Sequence, residues 1–558
     1  MPTLDFKGKP FVYSHHLSVP FRGLEIDEGK SMPSGSGPSL DDNLIIHGDN
    51  LHALKALMPK YAGKVDVIYI DPPYNTGNEG WIYNDNVNSP LMKEWLGETV
   101  DGEDLERHDK WLCMMWPRLT LLKEMLKPTG AIIVNIDDTE VGNLRMLMDE
   151  IFGSNNFVSN IVWQKKYSPQ NDAKLFSAMH DHILVYAKSI EDVRLNLLPR
   201  TAKQDAAYKN LDNDPRGPWK ATDSTCNKSR KQRPNLYYPI TNPNTAEEIL
   251  PLETRVWRYS EESHSSKAAD NRVYWGKDGS NKTPAYKSFL SEVKAGRVPT
   301  TIWDYKEAGH NQLARQELNQ IFPENPFDTP KPTKLLEYIM RVFSSKDSLI
   351  LDSFAGSGTT AHAVKLLNKE DGGTRKFILV ETEDYADRIT AERIRRVSRG
   401  ISEAKDERIK QPLGGSFTYC KLGAPIDLDS FFSESVEMPS YEQVASYIAY
   451  TATGEALSSA PKKARQDWFI GEVKGTRLHL IYKDDPNFMK SGASALTEGL
   501  AKLIAKSNSS GKTAYVFGAV KYLSQKELSS AEYRIQFCQL PYSIYRIMGD
   551  APGQDDGA

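Results

Sequence analysis

The sequence predicts an α/β protein with a doubly wound, mostly parallel sheet of seven strands, into which a second, less regular segment is inserted. Two observations lead to this prediction. Short runs of β-branched and apolar residues alternate with amphipathic helical patterns between residues 44 and 190, and the alternation resumes between residues 326 and 400. Two of these runs also stop abruptly at polar or glycine-rich turns, which is where open α/β sheets bind ligands.

The elements follow from local periodicity, because strands are short apolar runs and helices repeat apolar residues every three or four positions. The seven strands begin near residues 44, 65, 131, 161, 182, 349 and 376. The intervening helices lie near residues 51–58, 109–127, 139–147, 334–343 and 361–367. Beyond residue 400, strands near 417–421, 478–482 and 514–517 and helices near 441–450 and 495–506 predict a small α/β appendage.

A chain of 558 residues is too long for one hydrophobic core, so several folded units are expected. The predicted segments are an N-terminal extension and flexible linker at 1–43, two halves of the sheet domain at 44–189 and 326–400, an inserted domain at 190–325, a C-terminal accessory domain at 401–548 and a disordered acidic tail at 549–558. The polar stretch 76–107 is predicted to be a mobile loop at the edge of the sheet.

The first of the two turns follows the predicted strand Val65–Ile70 and reads Asp71, Pro72, Pro73 and Tyr74. Two successive prolines supply no backbone N–H, so the turn offers carbonyl and carboxylate acceptors beside an aromatic ring. Such a site suits a flat heterocycle with an exocyclic amino group, as in a purine or pyrimidine. A turn that merely ends a strand is the alternative explanation.

The second turn follows the predicted strand Leu349–Asp352 and carries Gly356 and Gly358 before a helix. Glycines there permit a tight turn and the close approach of a ligand to the helix N-terminus. The phosphate-gripping lysine of a P-loop is absent, and so is the third glycine of the pyrophosphate fingerprint. The next strand ends in Glu381, at a spacing suited to ribose hydroxyls. A nucleoside without phosphates fits this pattern better than NAD does, and S-adenosylmethionine is such a nucleoside.

The order of the two motifs, Asp71-Pro-Pro-Tyr74 before Phe354-Ala-Gly-Ser-Gly358, resembles the permuted arrangement of the β-class amino-methyltransferases that act on DNA. Among these, the chain is similar to the modification (Mod) subunits of type III restriction systems and to orphan adenine methyltransferases. The resemblance covers roughly residues 40 to 400. It implies a catalytic half at 44–189, a target-recognition domain at 190–325 and a cofactor-binding half at 326–400.

The resemblance also implies roles for individual residues. The residues expected to act on the target base are Asp71, Pro72, Pro73 and Tyr74. The residues expected to bind S-adenosylmethionine are Asp49, Asp71, Lys331, Pro332, Asp352, Phe354, Ala355, Gly356, Ser357, Gly358, Thr359 and Glu381. Asp49 is equally well explained as the N-cap of the helix that follows it.

The reaction implied is the direct in-line transfer of a methyl group to an exocyclic amine of a base flipped out of double-stranded DNA. Asp71 and the Pro72 carbonyl would accept the two amine hydrogens, and the Tyr74 ring would stack on the base. Adenine N6 is the expected target, since Asp71 occupies a place where cytosine-N4 enzymes of similar sequence typically have serine. The alternatives are a cytosine-N4 methyltransferase, a DNA-recognition module with an inactive core, and an enzyme acting on RNA or on a protein amide.

The net charge of −4 hides a basic segment, since residues 161–300 contain 23 Lys and Arg against 16 Asp and Glu. Concentrated positive charge is the expected footprint of a phosphate-binding surface, although a solvated charged surface would look similar. Aromatic residues interleave with the basic ones, which suggests stacking contacts with bases; they are Trp219, Tyr237, Tyr238, Trp257, Tyr274 and Trp275. The residues predicted to contact DNA are Lys165, Lys166, Arg216, Lys220, Lys228, Arg230, Lys231, Arg233, Tyr237 and Arg272.

Several classes of site and location are not indicated. The four cysteines are far apart and form no CxxC pair, and the adjacent His15 and His16 have no further ligand nearby in sequence, so no metal site is expected. The paired carboxylates Asp137 and Asp138 could serve acid/base chemistry or bind a metal, but they are expected to cap the helix that follows. No stretch approaches the roughly 20 apolar residues of a membrane span, which predicts a cytoplasmic protein.

A homodimer is expected by analogy, and the resemblance also allows a restriction subunit as partner.

Overall fold

The computed structural model describes residues 3–32, 37–77, 81–82, 99–100, 106–294, 296–324, 326–425, 438–489, 491–509 and 511–540. Most of the predicted loop at 76–107 and the whole predicted tail at 549–558 lie outside these residues. The chain forms two compact units. One contains Met1–Leu195 and Thr300–Ala558, and the other contains Asn196–Pro299.

The first unit is built on a large sheet, which has ten strands within the described residues. In chain order these are β1 (Arg22–Ile26), β2 (Leu44–His47), β3 (Val65–Ile70), β4 (Leu126–Ile136), β5 (Phe157–Gln164), β6 (His180–Ala187), β7 (Ile302–Trp303), β8 (Leu349–Asp352), β9 (Lys376–Glu381) and β10 (Thr418–Pro425). Their spatial order is β1-β10-β2-β9-β8-β3-β4-β6-β5-β7. The six strands from β10 to β4 are parallel, whereas β6 runs antiparallel to both of its neighbours.

Helices connect the strands, as expected for a doubly wound sheet. The principal helices are α1 (Asn50–Tyr61), α2 (Arg107–Met125), α3 (Val141–Met148), α4 (Asn311–Ile321), α5 (Thr333–Phe343), α6 (Thr359–Asp371) and α7 (Glu392–Arg399). The core packs β-branched strand residues against leucines and methionines of α1 and α2, with Val65, Ile68, Leu54, Leu119 and Leu122 all fully buried. This burial explains why the central strands read as continuous apolar runs.

The predicted α/β fold is confirmed, and all seven predicted strands are present. Three further strands join the sheet. Strand β1 lies in the segment that was predicted to be a linker. It is at the edge of the sheet and its side chains are half-buried or exposed, so its sequence is mixed and polar and has no apolar run that would indicate a strand. The segment predicted as the first strand of the C-terminal appendage is β10, which pairs with β2 of the main sheet.

The second unit, Asn196–Pro299, is narrower than the predicted insertion at 190–325, because β7 and α4 belong to the first unit. Its largest sheet has three antiparallel strands, in the order Val273–Tyr274, Ala285–Phe289 and Trp219–Asp223. The unit also contains two strand pairs, Thr225–Cys226 with Val256–Trp257 and Ile240–Thr241 with Glu248–Ile249, and the α-helices Ala202–Ala206 and Glu261–Ala269.

The C-terminal part of the chain contains a separate four-stranded sheet within the first unit. Its strands are β11 (Phe469–Val473), β12 (Thr476–Leu480), β13 (Ala514–Gly518) and β14 (Ile535–Gln539), with helices α8 (Tyr441–Thr453) and α9 (Glu498–Ser507). The C-terminal segment is therefore α/β, as the sequence predicts, and it belongs to the first of the two units. Among the described helices, none has both the length and the apolar character needed to cross a membrane.

Candidate active site

A cavity of about 770 Å³ lies at the carboxyl ends of β3 and β8. These strands are parallel neighbours, with Leu351 beside Ile68, so the turns that follow them meet at one edge of the sheet. Both turns identified in the sequence line this cavity, together with the end of β9 and the segment 327–331. The location agrees with the general rule that open α/β sheets bind ligands beyond the carboxyl ends of their strands.

The Asp71 carboxylate is held from two sides. Its Oδ2 atom lies 2.5 Å from Lys331 Nζ, and its Oδ1 atom lies 3.4 Å from Asn135 Nδ2. The Trp111 indole donates a 2.7 Å hydrogen bond to the Pro73 carbonyl, which is not the proline carbonyl predicted to accept from the target base. Because the Oδ1 contact is long, Asp71 keeps acceptor capacity toward the cavity.

The Tyr74 hydroxyl belongs to a buried polar network. It donates to Asp181 Oδ2 at 3.1 Å and accepts from Asn135 Nδ2, while Lys165 Nζ lies 2.5 Å from Asp181 Oδ1. Burial, followed by the carboxylates of Asp71 and Asp181, raises the pKa of Tyr74 well above its usual value. The phenol therefore stays protonated, and its ring is fixed at the cavity wall by its hydroxyl.

The glycine turn after β8 requires glycine at two positions. Gly356 and Gly358 have φ values of +51° and +78°, in the left-handed region. A Cβ on Gly358 would lie 3.0 Å from the Thr390 carbonyl oxygen, and one on Gly356 would lie 3.3 Å from Phe327 Cζ. The turn thus packs closely against Phe327 and Thr390 and has no room for larger side chains at these two positions.

Two carboxyl groups at this side of the cavity are deeply buried. Glu381 is 6% exposed, and its oxygens accept hydrogen bonds from the backbone N–H groups of Gly356 at 2.6 Å and Glu383 at 3.0 Å. Burial raises the pKa of Glu381 to about 7. Asp352 accepts a 2.5 Å hydrogen bond from the Thr360 hydroxyl, and burial raises its pKa to about 7 as well. A carboxylate has about four lone-pair directions, so Glu381 can still accept from ligand hydroxyls.

The buried side chain of Arg393 hydrogen-bonds the glycine turn. Its guanidinium donates to the hydroxyls of Ser357 at 2.9 Å and Thr359 at 2.8 Å, and burial lowers its pKa to about 10. The Thr359 hydroxyl in turn donates to the Lys331 carbonyl at 3.2 Å. Through Thr359, a chain of contacts therefore runs from the glycine turn to Lys331, the lysine that pairs with Asp71.

Asp49 is the N-cap of α1, one of the two roles considered for it, and it also lies at the cavity. Its carboxylate caps α1 by accepting from the His52 backbone N–H at 3.0 Å, and it also lies 3.3 Å from an Arg118 guanidinium nitrogen. Asp49 and Arg118 both line the cavity. The helix cap thus places a carboxylate at the cavity wall.

The structure brings most of the predicted site residues together. The predicted residues that line the cavity are Asp49, Asp71, Pro72, Pro73, Tyr74, Lys331, Asp352, Phe354, Ala355, Gly356, Ser357, Thr359 and Glu381. Pro332 and Gly358, although both are described, are not among the lining residues. Pro332 is the N-cap of α5, and Gly358 is the N-cap of α6.

The residues predicted to contact DNA divide into two groups. Arg216 pairs with buried Asp214 at 2.8 Å, Arg272 pairs with Glu292 at 2.5 Å, and Lys165 is bound to Asp181 inside the cavity. Each of these three charges therefore has an ion-pair partner within the protein, as does Arg230, which lies 3.7 Å from Glu253. The other predicted residues are exposed or half-buried: Lys166, Lys220, Lys228, Arg230, Lys231, Arg233 and Tyr237.

Four aromatic residues of the second unit that suggested base stacking are buried instead. Tyr238, Trp257 and Trp275 form its hydrophobic cluster with Ile240, and Trp219 is 1% exposed. These aromatic residues alternate with basic ones in the sequence because the aromatic side chains form a small core while the basic side chains lie on the surface. The prediction that these four stack on bases is therefore wrong. Tyr237 remains half-buried, with the Arg230 guanidinium 4.7 Å from its ring centre.

Several residues of the site were not identified from sequence. Asn135 and Asp181, which hold the Tyr74 hydroxyl, are 0% and 2% exposed, and Phe327 and Tyr385 form an edge-to-face pair at 5.6 Å beside the glycine turn. Asn135 did give a signal, because it is a polar residue within the apolar strand β4. The others depend on contacts between distant parts of the chain.

The sequence matches the DNA methylase family N6_N4_Mtase over residues 65–392. It is 38% identical over 421 residues to the type III restriction-modification enzyme StyLTI Mod subunit of Salmonella typhimurium, covering 70% of this chain and 62% of that subunit. It is 30% identical to the EcoPI Mod subunit of Escherichia phage P1, covering 82% of this chain and 78% of the relative. The type II methyltransferase M.KpnI of Klebsiella pneumoniae is 34% identical, with coverages of 60% and 79%.

The chain thus spans slightly less than two thirds of the Salmonella relative and more than three quarters of the other two. The matched family region is more than half of this chain and contains the Asp71–Tyr74 turn, the glycine turn and Glu381. The resemblance inferred from these motifs is therefore confirmed, and S-adenosylmethionine is the methyl donor of the family. This protein belongs to the DNA methylase family.

Proposed function

We propose that this protein is a site-specific DNA methyltransferase that transfers a methyl group from S-adenosylmethionine to N6 of adenine in double-stranded DNA. The observation that supports this most directly is the shared cavity. The Asp71–Tyr74 turn, which suits an amino-bearing heterocycle, and the Gly356–Glu381 region, which suits a nucleoside, line one space at the sheet edge. A methyl donor and an acceptor bound there would be neighbours.

The residues present suit S-adenosylmethionine chemically. Glu381 can accept hydrogen bonds from ribose hydroxyls, the Phe327 and Tyr385 rings offer apolar faces, and Asp49 lies across the same cavity. Buried Tyr69 Oη and Ser353 Oγ at the cavity wall have no hydrogen-bond partner among the described residues, so the wall has polar atoms to spare for a ligand. When bound, this cofactor supplies an electrophilic methyl group on a sulfonium.

The tetrapeptide would orient and activate the amine. An amine conjugated to an aromatic ring is a weak nucleophile, and acceptors for its hydrogens localise its lone pair. Asp71 provides a carboxylate whose position is fixed by Lys331, and the Tyr74 ring is fixed by Asp181 and Asn135. Preorganised groups of this kind cost no rearrangement during the reaction. The target base must leave the duplex to reach them, because its amino group is inaccessible within the stack.

Adenine is favoured over cytosine by resemblance, through Asp at position 71. The Mod names of two relatives, the StyLTI and EcoPI subunits, are consistent with this choice. The cavity itself offers acceptors that would serve either base, so the choice between N6 of adenine and N4 of cytosine rests on the relatives and not on geometry.

The second unit is proposed to recognise the target sequence. Exposed Lys228, Lys231 and Arg233 lie on it, and positive charge there would neutralise phosphates while other side chains contact base edges. A homodimer and association with a restriction subunit are further proposals, which rest on similarity to Mod subunits. A DNA substrate would place the activity in the bacterial cytoplasm, at the nucleoid.

Single-molecule sequencing of DNA from bacteria that express the chain tests this proposal. Modified adenines at one recurring sequence are expected with the wild-type protein and not with Asp71→Ala, which removes the proposed acceptor. The matched control is Asp66→Ala, because this carboxylate lies on the same strand but pairs with Lys127 away from the cavity. Recurring cytosine modification, or modification that persists in Asp71→Ala, would contradict the proposal.

A further inference from the structure

Two histidines and one carboxylate meet at the edge of the main sheet, outside the residues that line the catalytic cavity. His180 and His182 lie on β6, and Asp138 follows β4, the neighbouring strand. Their nearest nitrogen and carboxylate oxygen atoms all lie within 4.8 Å of one another. His182 and Asp138 are 44 residues apart in sequence, so no local spacing predicted this cluster.

The strand geometry explains how the cluster forms. Successive side chains of a strand point to opposite faces, so His180 and His182 share one face of β6 while Asp181 points to the other. Ile136 pairs with His182 across the sheet, which brings the residues just after β4 level with the two rings. Asp181 is 2% exposed and hydrogen-bonds Tyr74 in the cavity. One short segment of β6 therefore serves the active site on one face and the histidine cluster on the other.

The distances suit a transition-metal ion. Asp138 Oδ1 lies 2.9 Å from His182 Nε2 and 3.8 Å from His180 Nε2. A tetrahedral ion with bonds of about 2.1 Å holds its ligand atoms about 3.4 Å apart, which is between these two values. Small side-chain rotations would therefore convert the cluster into a coordination site.

Asn160 provides the outer contact that metal-binding histidines usually have. Its Oδ1 atom lies 3.2 Å from His182 Nδ1, on the side of the ring away from Asp138. A ring that donates its Nδ1–H to Asn160 presents the Nε2 lone pair to the carboxylate. Two electron-rich atoms at 2.9 Å need a cation between them, which is either a proton or a metal ion.

A protonated His182 paired with Asp138 would satisfy that need alone. The side chain of Asp138 is 70% exposed, however, and such surface pairs contribute little stability. This pairing also leaves unexplained why the His180 ring lies beside the same carboxylate, 5.0 Å from the His182 ring. Exposure of Asp138 and His180 gives an ion a path of entry and leaves room for water ligands.

We propose that Asp138, His180 and His182 bind one divalent first-row transition ion, with Zn²⁺ as the representative, and that water completes its coordination. The ion would link the end of β4 to the start of β6 and so hold the segment that carries Asp181. Its role is structural, since the cluster does not line the cavity. The inference does not depend on which base the enzyme methylates.

Calorimetric titration of the chelator-treated, full-length chain with ZnCl₂ tests the site. The expected result is one ion per chain, with affinity at least about tenfold weaker in Asp138→Asn and in His180→Ala. Asp172→Asn is the matched control, because it neutralises an exposed carboxylate in the connection between β5 and β6 and should bind Zn²⁺ like the wild type. Co²⁺ added to the wild type should give visible absorption bands that the two site variants lose.

Thermal unfolding separates a lost site from a misfolded variant. Zn²⁺ should raise the Tm of the wild type and of Asp172→Asn but not the Tm of Asp138→Asn, whose exposed side chain can change without disturbing the core. Equal Zn²⁺ affinity in the wild type and in Asp138→Asn would overturn the proposal. So would the absence of binding by a wild-type chain that melts cooperatively, since the cluster would then be an ion pair between His182 and Asp138 only.

Discussion

Replacing Glu381 by glutamine should weaken S-adenosylmethionine binding by about tenfold at pH 8. The carboxylate is buried and already accepts hydrogen bonds from the Gly356 and Glu383 backbones, so its remaining lone pairs face the cavity. Glutamine keeps one acceptor oxygen but loses the negative charge. Hydrogen bonds to charged groups contribute about 1.5–3 kcal/mol against about 1 kcal/mol for neutral ones, and a difference near 1.4 kcal/mol is tenfold in affinity.

The raised pKa of Glu381, about 7, adds a dependence on pH. The ionised carboxylate is the better acceptor for ribose hydroxyls, so cofactor affinity should be greatest above pH 7 and fall as the pH drops through that value. About nine tenths of the groups are ionised at pH 8 and about one tenth at pH 6. If the protonated carboxyl binds about tenfold more weakly, as glutamine does, affinity should fall roughly fivefold between these two pH values. Glu381→Gln should abolish this contribution.

The raised pKa of Glu381 has the opposite effect on folding stability, which falls as the pH rises. The folded-state pKa is raised above the ordinary value of 4.5, so the folded chain binds more protons than the unfolded chain between about pH 4.5 and 7. Without ligand, the contribution of Glu381 to stability is therefore lost as the pH rises through this window. Glu381→Gln should flatten that part of the stability profile.

The assay is calorimetric titration of the full-length chain with S-adenosylmethionine at pH 6, 7 and 8 and constant ionic strength. The amino acid part of the cofactor titrates alike with both proteins, so the difference between wild type and variant isolates Glu381. Asp384→Asn, which neutralises an exposed carboxylate nearby, is the control and should behave as the wild type. Wild-type affinity in Glu381→Gln at pH 8 would refute the ribose contact, and an unchanged pH dependence would assign the titration to Asp352.

Three further results are expected. Asp181→Asn should lower kcat by about tenfold or more and change cofactor affinity less than twofold, because the variant loses the charged acceptor that fixes the Tyr74 hydroxyl. Single-turnover kinetics that match the wild type would contradict this. Alanine at Lys228, Lys231 and Arg233 should reduce the slope of log K against log salt for DNA binding by about 0.9 per phosphate contact, whereas Lys502→Ala should leave it unchanged. Analytical ultracentrifugation should show a homodimer, and a monomer both with and without DNA would exclude it.

The parts of the site that follow strands directly could be predicted from sequence. The Asp71–Tyr74 turn, the two glycines and Glu381 each stand at the end of a β-branched run, and parallel strands bring such ends to one edge. The glycines were recognisable because positive φ values exclude most other residues. Local pattern and local chemistry agree at these positions, which is why a single sequence was sufficient.

The residues that hold those turns could not be predicted in the same way. The bond between Tyr74 and Asp181 spans 107 residues, and the pair between Lys331 and Asp71 spans 260. Lys165 was predicted to contact DNA because the sequence shows its positive charge but does not show that it pairs with buried Asp181. A charged residue in a sequence indicates either a surface or an internal ion pair, and only the fold distinguishes them.

Strand β1 was not predicted, because it forms by backbone pairing with another strand and not by burying an apolar run. Strand β1 has half-buried and exposed residues and forms by pairing with β10, which itself joins the sheet from the far end of the domain. Strand β1 lacks the apolar run that made β3 and β8 recognisable. Strand β10 was predicted as a strand, but it was assigned to the appendage because its partner β2 is distant in sequence. Similarly, the buried tryptophans of the second unit carried no period that would have identified them as core.

The most direct test of the account is to incubate the purified chain with methyl-labelled S-adenosylmethionine and double-stranded DNA, digest the DNA to nucleosides and identify the labelled one. The account predicts labelled N6-methyladenine from the wild type and none from Asp71→Ala, with Asp66→Ala retaining activity. Labelled N4-methylcytosine without N6-methyladenine would contradict the assignment of the target base. Full labelling by Asp71→Ala would contradict the mechanism built on the Asp71–Tyr74 turn.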